Sequence, residues 1–259
     1  MPDECIHGLE SGLCDLCYPK PAPVVEAPVA TLSRNGSTRT ATRTRPAAQR
    51  RTAGVGTPDH KVGEQRIYHF THIDNLARII EHDGLVASRQ ATPVVDASSA
   101  DNREKRAERL LGTSTVADYV PFFLSPNAAV WSIIRSQKAD PRLSAEIRHH
   151  AASEFVILVS TVKVAATMHV AVADGDPAKA PTSFGVTPED NDRVLRKLRA
   201  DDEAILIGEV LVHERFPFEQ LALIGVANDR ARDLVKEILQ AAAHEPKVSV
   251  YPPWFAKAE

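Results

Sequence analysis

From Arg66 onward, the chain alternates between apolar runs that suit strands and apolar spacings that suit helices. Arg66–Phe70, Tyr119–Leu124, Phe155–Val162, Ala204–Val212, Leu221–Val226 and Lys247–Tyr251 read as strands, with 167–172 as a candidate strand pairing nearby. Ile73, Leu76, Ile79 and Ile80 recur at helical spacing, which predicts a helix over Ile73–His82 stopped by Gly84. Further helices are expected at Arg103–Leu111, Asn127–Ser136, Thr187–Arg199 and Arg230–Ala243. The fourth has a full start signal: Thr187 as cap, Pro188 in the first turn and Asp190 three residues after the cap. Strands and helices interleave without the regular order of a doubly wound sheet, so the expected class is α+β.

Before residue 64 this pattern disappears. Residues 19–63 are rich in Pro, Ala, Thr, Ser and Arg, with Arg34, Arg39, Arg43, Arg45, Arg50 and Arg51 against the two acids Glu26 and Asp59. Such a stretch has too few large apolar residues to offset its ordering entropy, so it reads as a basic linker. The expected organisation is therefore 1–18 as a small peptide, 19–63 as linker and 64–259 as the main domain. Hydrophobic residues make up 43% of the 259 and the net charge is -3, which describes an ordinary globular chain and marks no nucleic-acid binder. No apolar run approaches a membrane span, and the N-terminus lacks a secretory pattern, so a cytoplasmic protein without membrane contact is expected.

All three cysteines fall within the first 17 residues, which excludes a disulfide framework for the main domain. Cys5, His7, Cys14 and Cys17 have the spacing and the soft donors of a structural Zn2+ site. In the main domain, Tyr68–Leu76 runs from strand to helix and offers His69, Thr71, His72 and Asn75 at a turn. These groups suit recognition of ribose hydroxyls or a carboxamide, or else serve as caps and interior residues. Glu209 interrupts the apolar run Ala204–His213. A carboxylate in a buried strand is costly unless it is paired or used, and Gly208 beside it permits close approach of a chain or ligand.

The order of these pieces resembles the DarT family of DNA-modifying ADP-ribosyltransferase toxins. The resemblance runs from about Ile67 to Phe255 through YHFTHIDNLARIIEHDGL, DYVPFFLSP, VADGDPAKAPTSFG, GEVLVHERFPFEQLALIGV and VSVYPPWF. It implies an ADP-ribosyltransferase-like fold, with a central split, mostly antiparallel sheet flanked by helices. It implies NAD as co-substrate, contacted by His69, Thr71 and Asn75, and Glu209 as catalytic acid. It also implies a catalytic arginine in the charged stretch at 102–109, where Arg106 is the preferred register and Arg103 and Arg109 compete. The segment from the ADGDP motif to about Ala204 would meet the substrate, a base in single-stranded DNA. Arg193, Arg196 and Lys197, on the helix before Glu209, either contact phosphates beside it or form a solvated face balanced by Asp190, Asp192, Asp201 and Asp202. A toxin role with a macrodomain-type antitoxin follows from the same resemblance. RNA or protein as acceptor, or a module that only binds nucleic acid, are the competing functions.

Overall fold

A computed structural model describes residues 62–257 of the chain. Cys5, His7, Cys14, Cys17 and the six linker arginines lie outside these described residues. The strands are β1 (Arg66–His72), β2 (Gly84–Val86), β3 (Leu110–Leu111), β4 (Ser114–Thr115), β5 (Tyr119–Phe123), β6 (Phe155–Thr161), β7 (Val170–Ala173), β8 (Phe184–Gly185), β9 (Glu209–His213), β10 (Arg215–Pro217), β11 (Leu223–Val226) and β12 (Lys247–Val250). The helices are α1 (Leu76–Glu81), α2 (Ala100–Glu108), α3 (Ala129–Ser136), α4 (Val162–Ala165), α5 (Pro188–Arg199) and α6 (Asp229–Leu239).

Eight strands form one sheet in the order β12-β11-β6-β1-β5-β9-β7-β8. Every neighbouring pair is antiparallel except β11 with β12. The expected split lies between β1 and β5. β1 pairs with β6 over seven residues but meets β5 only at Tyr68 opposite Phe123. Pro121 helps to hold the strands apart, because it has no N–H and the N–H and C=O of one strand residue point to the same edge. Its carbonyl instead binds Nδ1 of His69 at 2.8 Å. A second side chain bridges the gap where Gln65 donates to the Leu124 carbonyl at 2.9 Å.

One face of the sheet carries a continuous core. Val156, Leu158, Val210 and Val212 meet Leu76 and Ile79 of α1, Leu195 and Leu198 of α5, and Val235 and Leu239 of α6 there. On the other face the packing divides. Trp131 and Ile134 of α3 cover Tyr68, Phe155, Ile157 and Val159, while Leu111 and Val116 cover Tyr119, Ala171, Ala173 and Leu211. The period-2 alternation of β9 sends Val210 and Val212 to the first core and Leu211 to the second.

Three expected elements differ. Ala204–Leu206 is a 3-10 turn, so the strand begins only at Glu209. A Cβ built on Gly208 would stand 2.6 Å from Leu198 Cδ1, so the neighbour that needs this glycine is a core leucine. The charged helix is Ala100–Glu108 rather than Arg103–Leu111, because Ser99 accepts the Asn102 N–H at 3.1 Å and starts it earlier. Leu110 and Leu111 then leave it to form β3. Over Ile73–His82, a 3-10 turn through Asn75 precedes α1. The start of α5 is as expected, with Thr187 Oγ1 accepting the Asp190 N–H at 3.2 Å.

Candidate active site

Where β1 and β5 part, a cleft of about 500 Å³ opens. His69, Thr71, His72 and Asn75 line it from the β1 side, Tyr119, Pro121 and Phe123 from β5, and Arg103, Arg106, Arg142, Asp176 and Glu209 from the elements around them.

Glu209 sits at the start of β9, opposite Phe123 on one side and Ala173 on the other, and is only 6% exposed. Nη1 and Nη2 of Arg106 both approach its Oε2 at 3.3 Å. That leaves Oε1 for another partner. Burial raises the Glu209 pKa, and the negative charge of Asp176 adds to the rise, while Arg106 and Arg142 oppose it. A buried carboxylate with a raised pKa and charged neighbours in a cleft is a candidate functional group.

The structure separates the three competing arginines. Arg103 binds the Asp96 carboxylate at 2.5 Å and the Ser98 carbonyl at 2.6 Å. Arg109 donates to the carbonyls of Thr182 at 2.8 Å and Ala180 at 3.3 Å, with its guanidinium 5.4 Å from the Phe184 ring centroid. Only Arg106 of the three bonds to Glu209, and it is 13% exposed. Arg109 thereby clamps the 174–183 loop, whose neck is closed by Thr182 Oγ1 on the Asp176 carbonyl at 2.6 Å and by the Ser183 N–H on Asp174 at 2.8 Å.

Of the residues expected to contact NAD, His69 lines the cleft with Nδ1 turned to Pro121, and desolvation lowers its pKa. A neutral ring that donates from Nδ1 keeps Nε2 as an acceptor. Thr71 accepts from Asn75 Nδ2 at 3.1 Å and retains its hydroxyl proton for another partner. Asn75 is fully committed within the protein. Its Nδ2 also donates to the Val95 carbonyl at 2.9 Å, and its Oδ1 accepts the N–H groups of Val94 at 2.7 Å and Val95 at 3.0 Å. These bonds hold the 92–97 wall of the cleft that Asn75 itself lines. Asn75→Ala strands these backbone groups and is expected to cost about 2–4 kcal/mol. Thermal unfolding checks this, and an unchanged Tm would contradict it.

Arg142 and Asp176 were not singled out by sequence. Arg142 forks onto Asp140 at 2.8 and 3.0 Å and lies 3.8 Å from Asp176, so it joins the charges around Glu209. No motif surrounds it, whereas Asp176 could have been found inside the ADGDP segment. Asp176→Asn removes a repulsion on Glu209. The acidic limb of kcat/KM is therefore expected to move to lower pH, and an unmoved limb would leave burial as the sole cause of the raised pKa.

Arg193, Arg196 and Lys197 lie exposed on α5, outside the cleft lining. Arg193 pairs with Asp190 at 2.7 Å and Arg196 with Asp192 at 3.4 Å, while Lys197 reaches Asp174 at 4.0 Å at the base of the loop. Among the described residues, no helix is long and apolar enough to cross a membrane.

The family model described as "DarT: ssDNA thymidine ADP-ribosyltransferase, DarT" matches residues 68–256. A curated relative, the DNA ADP-ribosyl transferase of Thermus sp. (strain 2.9), is 26% identical over 211 residues, which are 73% of this chain and 95% of the relative. Thermus sp. 2.9 DarT solved with ADP-ribosylated ssDNA superposes with a TM-score of 0.63 at 22% identity, over 74% of this chain and 96% of that one. The same protein solved with NAD+ gives 0.59 at 23%, over 74% and 98%. DarTG of Thermosipho africanus, solved with ADP-ribose, gives 0.55 at 15%, over 74% of this chain and 51% of that one. These superpositions establish a shared fold, and the family match spans almost all of the described residues. The chain belongs to the DarT family of single-stranded-DNA thymidine ADP-ribosyltransferases.

Proposed function

We propose that NAD lies in the cleft between β1 and β5 with its nicotinamide ribose against Glu209, and that its ADP-ribosyl group passes to a thymine of single-stranded DNA. The observation that carries this is the buried Arg106–Glu209 contact on the cleft wall. The bond between the ribose C1′ and the nicotinamide nitrogen breaks, and its electron pair leaves with nicotinamide. Positive charge develops on the ribose. The Glu209 carboxylate stabilises that charge, and its free Oε1 accepts a ribose hydroxyl. A ring nitrogen of the base then bonds to C1′ and gives its proton to Glu209. Arg106 favours the ionised form of Glu209 and assists this proton transfer, and its fork suits a pyrophosphate oxygen.

His69 would use Nε2, and Thr71 its hydroxyl, to orient the nicotinamide end. The 174–183 loop, held by Arg109, would present the base to the cleft. Unpaired bases reach such a cleft without the cost of flipping from a duplex. Arg193, Arg196 and Lys197 would meet phosphates beside the loop. The basic stretch at 19–63 would add nonspecific attraction, since counterion release needs local positive charge rather than a basic protein. The set Cys5, His7, Cys14 and Cys17 would hold a structural Zn2+, and a zinc stoichiometry that does not fall by one equivalent in the Cys14→Ser, Cys17→Ser chain would remove that assignment. A chain that modifies DNA in the cytoplasm fits a toxin, with a macrodomain-type antitoxin that removes ADP-ribose as its counterpart.

Nicotinamide release tests the choice of base. Release is expected with single-stranded oligonucleotides that contain thymidine and not with those that lack it. Equal release with both would overturn thymine as acceptor.

A further inference from the structure

Outside the Arg106–Glu209 centre, one cluster has no part in the transfer described above. His72 closes β1 and lies opposite Phe155, the first residue of β6. Its ring stands edge-on to His150, with centroids 4.6 Å apart, and Glu154 follows four residues after His150. His72 is 5% exposed, and its Nε2 is buried with no hydrogen-bond partner. A buried polar atom left in this way is destabilising, so an unpartnered one at the rim of a cleft calls for a ligand. Glu154 Oε2 is 3.9 Å from it, too far for a hydrogen bond, and 3.1 Å from His150 Nδ1.

We propose that His72, His150 and Glu154 form a binding site for one divalent transition-metal ion of the zinc class. One ligand atom from each residue falls within a group whose members are all within 4.8 Å of one another. An ion about 2.0–2.1 Å from each ligand sets neighbouring ligands roughly 3–3.5 Å apart in tetrahedral geometry, so small side-chain movements close the site. His150 and Glu154 are 30% and 48% exposed, and Glu154 closes the site by giving up the Ala151 N–H, which its Oε2 accepts at 2.9 Å. Two imidazoles and a carboxylate favour zinc, cobalt or nickel over magnesium or calcium, which prefer oxygen. Three protein ligands leave a further position for water.

The groups around His72 fit this role. In the metal-free protein its Nδ1 accepts the Asp74 N–H at 3.3 Å, which puts the ring proton on Nε2. On binding, the ion takes the place of that proton, Nδ1 becomes the protonated nitrogen and the Asp74 N–H gives up its acceptor there. The Asp74 carboxylate, with Oδ2 3.5 Å from Nδ1, is placed to accept from it, the arrangement that orients metal-bound histidines. The ion would tie the end of β1 to the start of β6. Because His72 lines the cleft, it would stiffen the wall on which His69 and Thr71 stand.

The test uses the full chain with Cys5, Cys14 and Cys17 changed to Ser, so that the N-terminal thiolates cannot capture the probe. Calorimetric titration with Zn2+ and visible absorption with Co2+ should each report one equivalent bound. Affinity should fall at least about tenfold in His150→Ala and in Glu154→Gln. Zn2+ should raise the Tm of the parent and leave both variants unmoved. Both substituted positions are partly exposed, and circular dichroism verifies that the variants are folded. Absence of binding to the parent would overturn the site, as would equal affinity in parent and variants.

Discussion

Glu209→Gln is expected to lower the rate of ADP-ribosyl transfer on the order of 10³-fold while leaving the fold intact, the scale seen when one preorganised electrostatic partner of a transition state is removed. Glutamine keeps the shape and can still accept from Arg106, but it cannot stabilise a cationic ribose or take a proton. The stability effect has the opposite sign. The Glu209 pKa is raised in the folded protein, chiefly by burial. Between the unfolded and folded pKa values, the folded state therefore binds more protons, and the contribution of this carboxyl to stability is lost as pH rises through that window. At neutral pH the variant should have an equal or higher Tm than the parent, and near pH 4 the difference should shrink. A structural ion pair would behave differently, with a lower Tm at neutral pH and a preserved rate. Paired measurements of single-turnover transfer and Tm separate the two roles.

Arg106→Ala is the second large effect, expected at roughly 10²–10³-fold in kcat/KM. The loss has two parts. The fork that assists proton transfer disappears, and Glu209 loses the nearest positive charge that lowers its pKa. The acidic limb of kcat/KM should therefore move to higher pH, opposite to the shift expected for Asp176→Asn. Arg106→Lys restores the charge without the planar fork, so the pH profile should recover more fully than the rate. Arg103→Ala removes a half-exposed pair with Asp96 and should cost no more than about 1 kcal/mol of stability. Arg109→Ala unclamps the 174–183 loop and should raise KM for DNA more than it lowers kcat. A large loss of kcat in Arg103→Ala or Arg109→Ala, with Arg106→Ala near the parent, would reverse the assignment.

These expectations rest on positions whose sequence signals were of unequal strength. Glu209 was legible because a single carboxylate broke a β-prone apolar run, and alternation placed Leu211 and Val210 on the faces they occupy. The start of that strand was not legible. Ala204–Ile207 is as apolar as a strand, yet Ala204–Leu206 forms a 3-10 turn. The arginine register could not be read from spacing, since residues 103, 106 and 109 all sit in one charged stretch. The structure gives the three different partners: nearby Asp96 for the first, and distant Glu209 and the distant Thr182 carbonyl for the second and third. Asn75 was recognised as a residue at the right turn, but three of its four hydrogen bonds belong to a wall about twenty residues further on. Arg142 left no trace because its setting depends on a loop, and the Asp140 fork that fixes it is local while its neighbour Asp176 is not.

The central claim is that this cleft moves ADP-ribose from NAD to single-stranded DNA. Incubation of the protein with NAD labelled in the ADP-ribose, separately with single-stranded DNA, RNA and a protein extract, tests it most directly. The account predicts label on DNA that is lost in Glu209→Gln. Label on RNA or protein with none on DNA, or label on DNA that persists undiminished in Glu209→Gln, would contradict it.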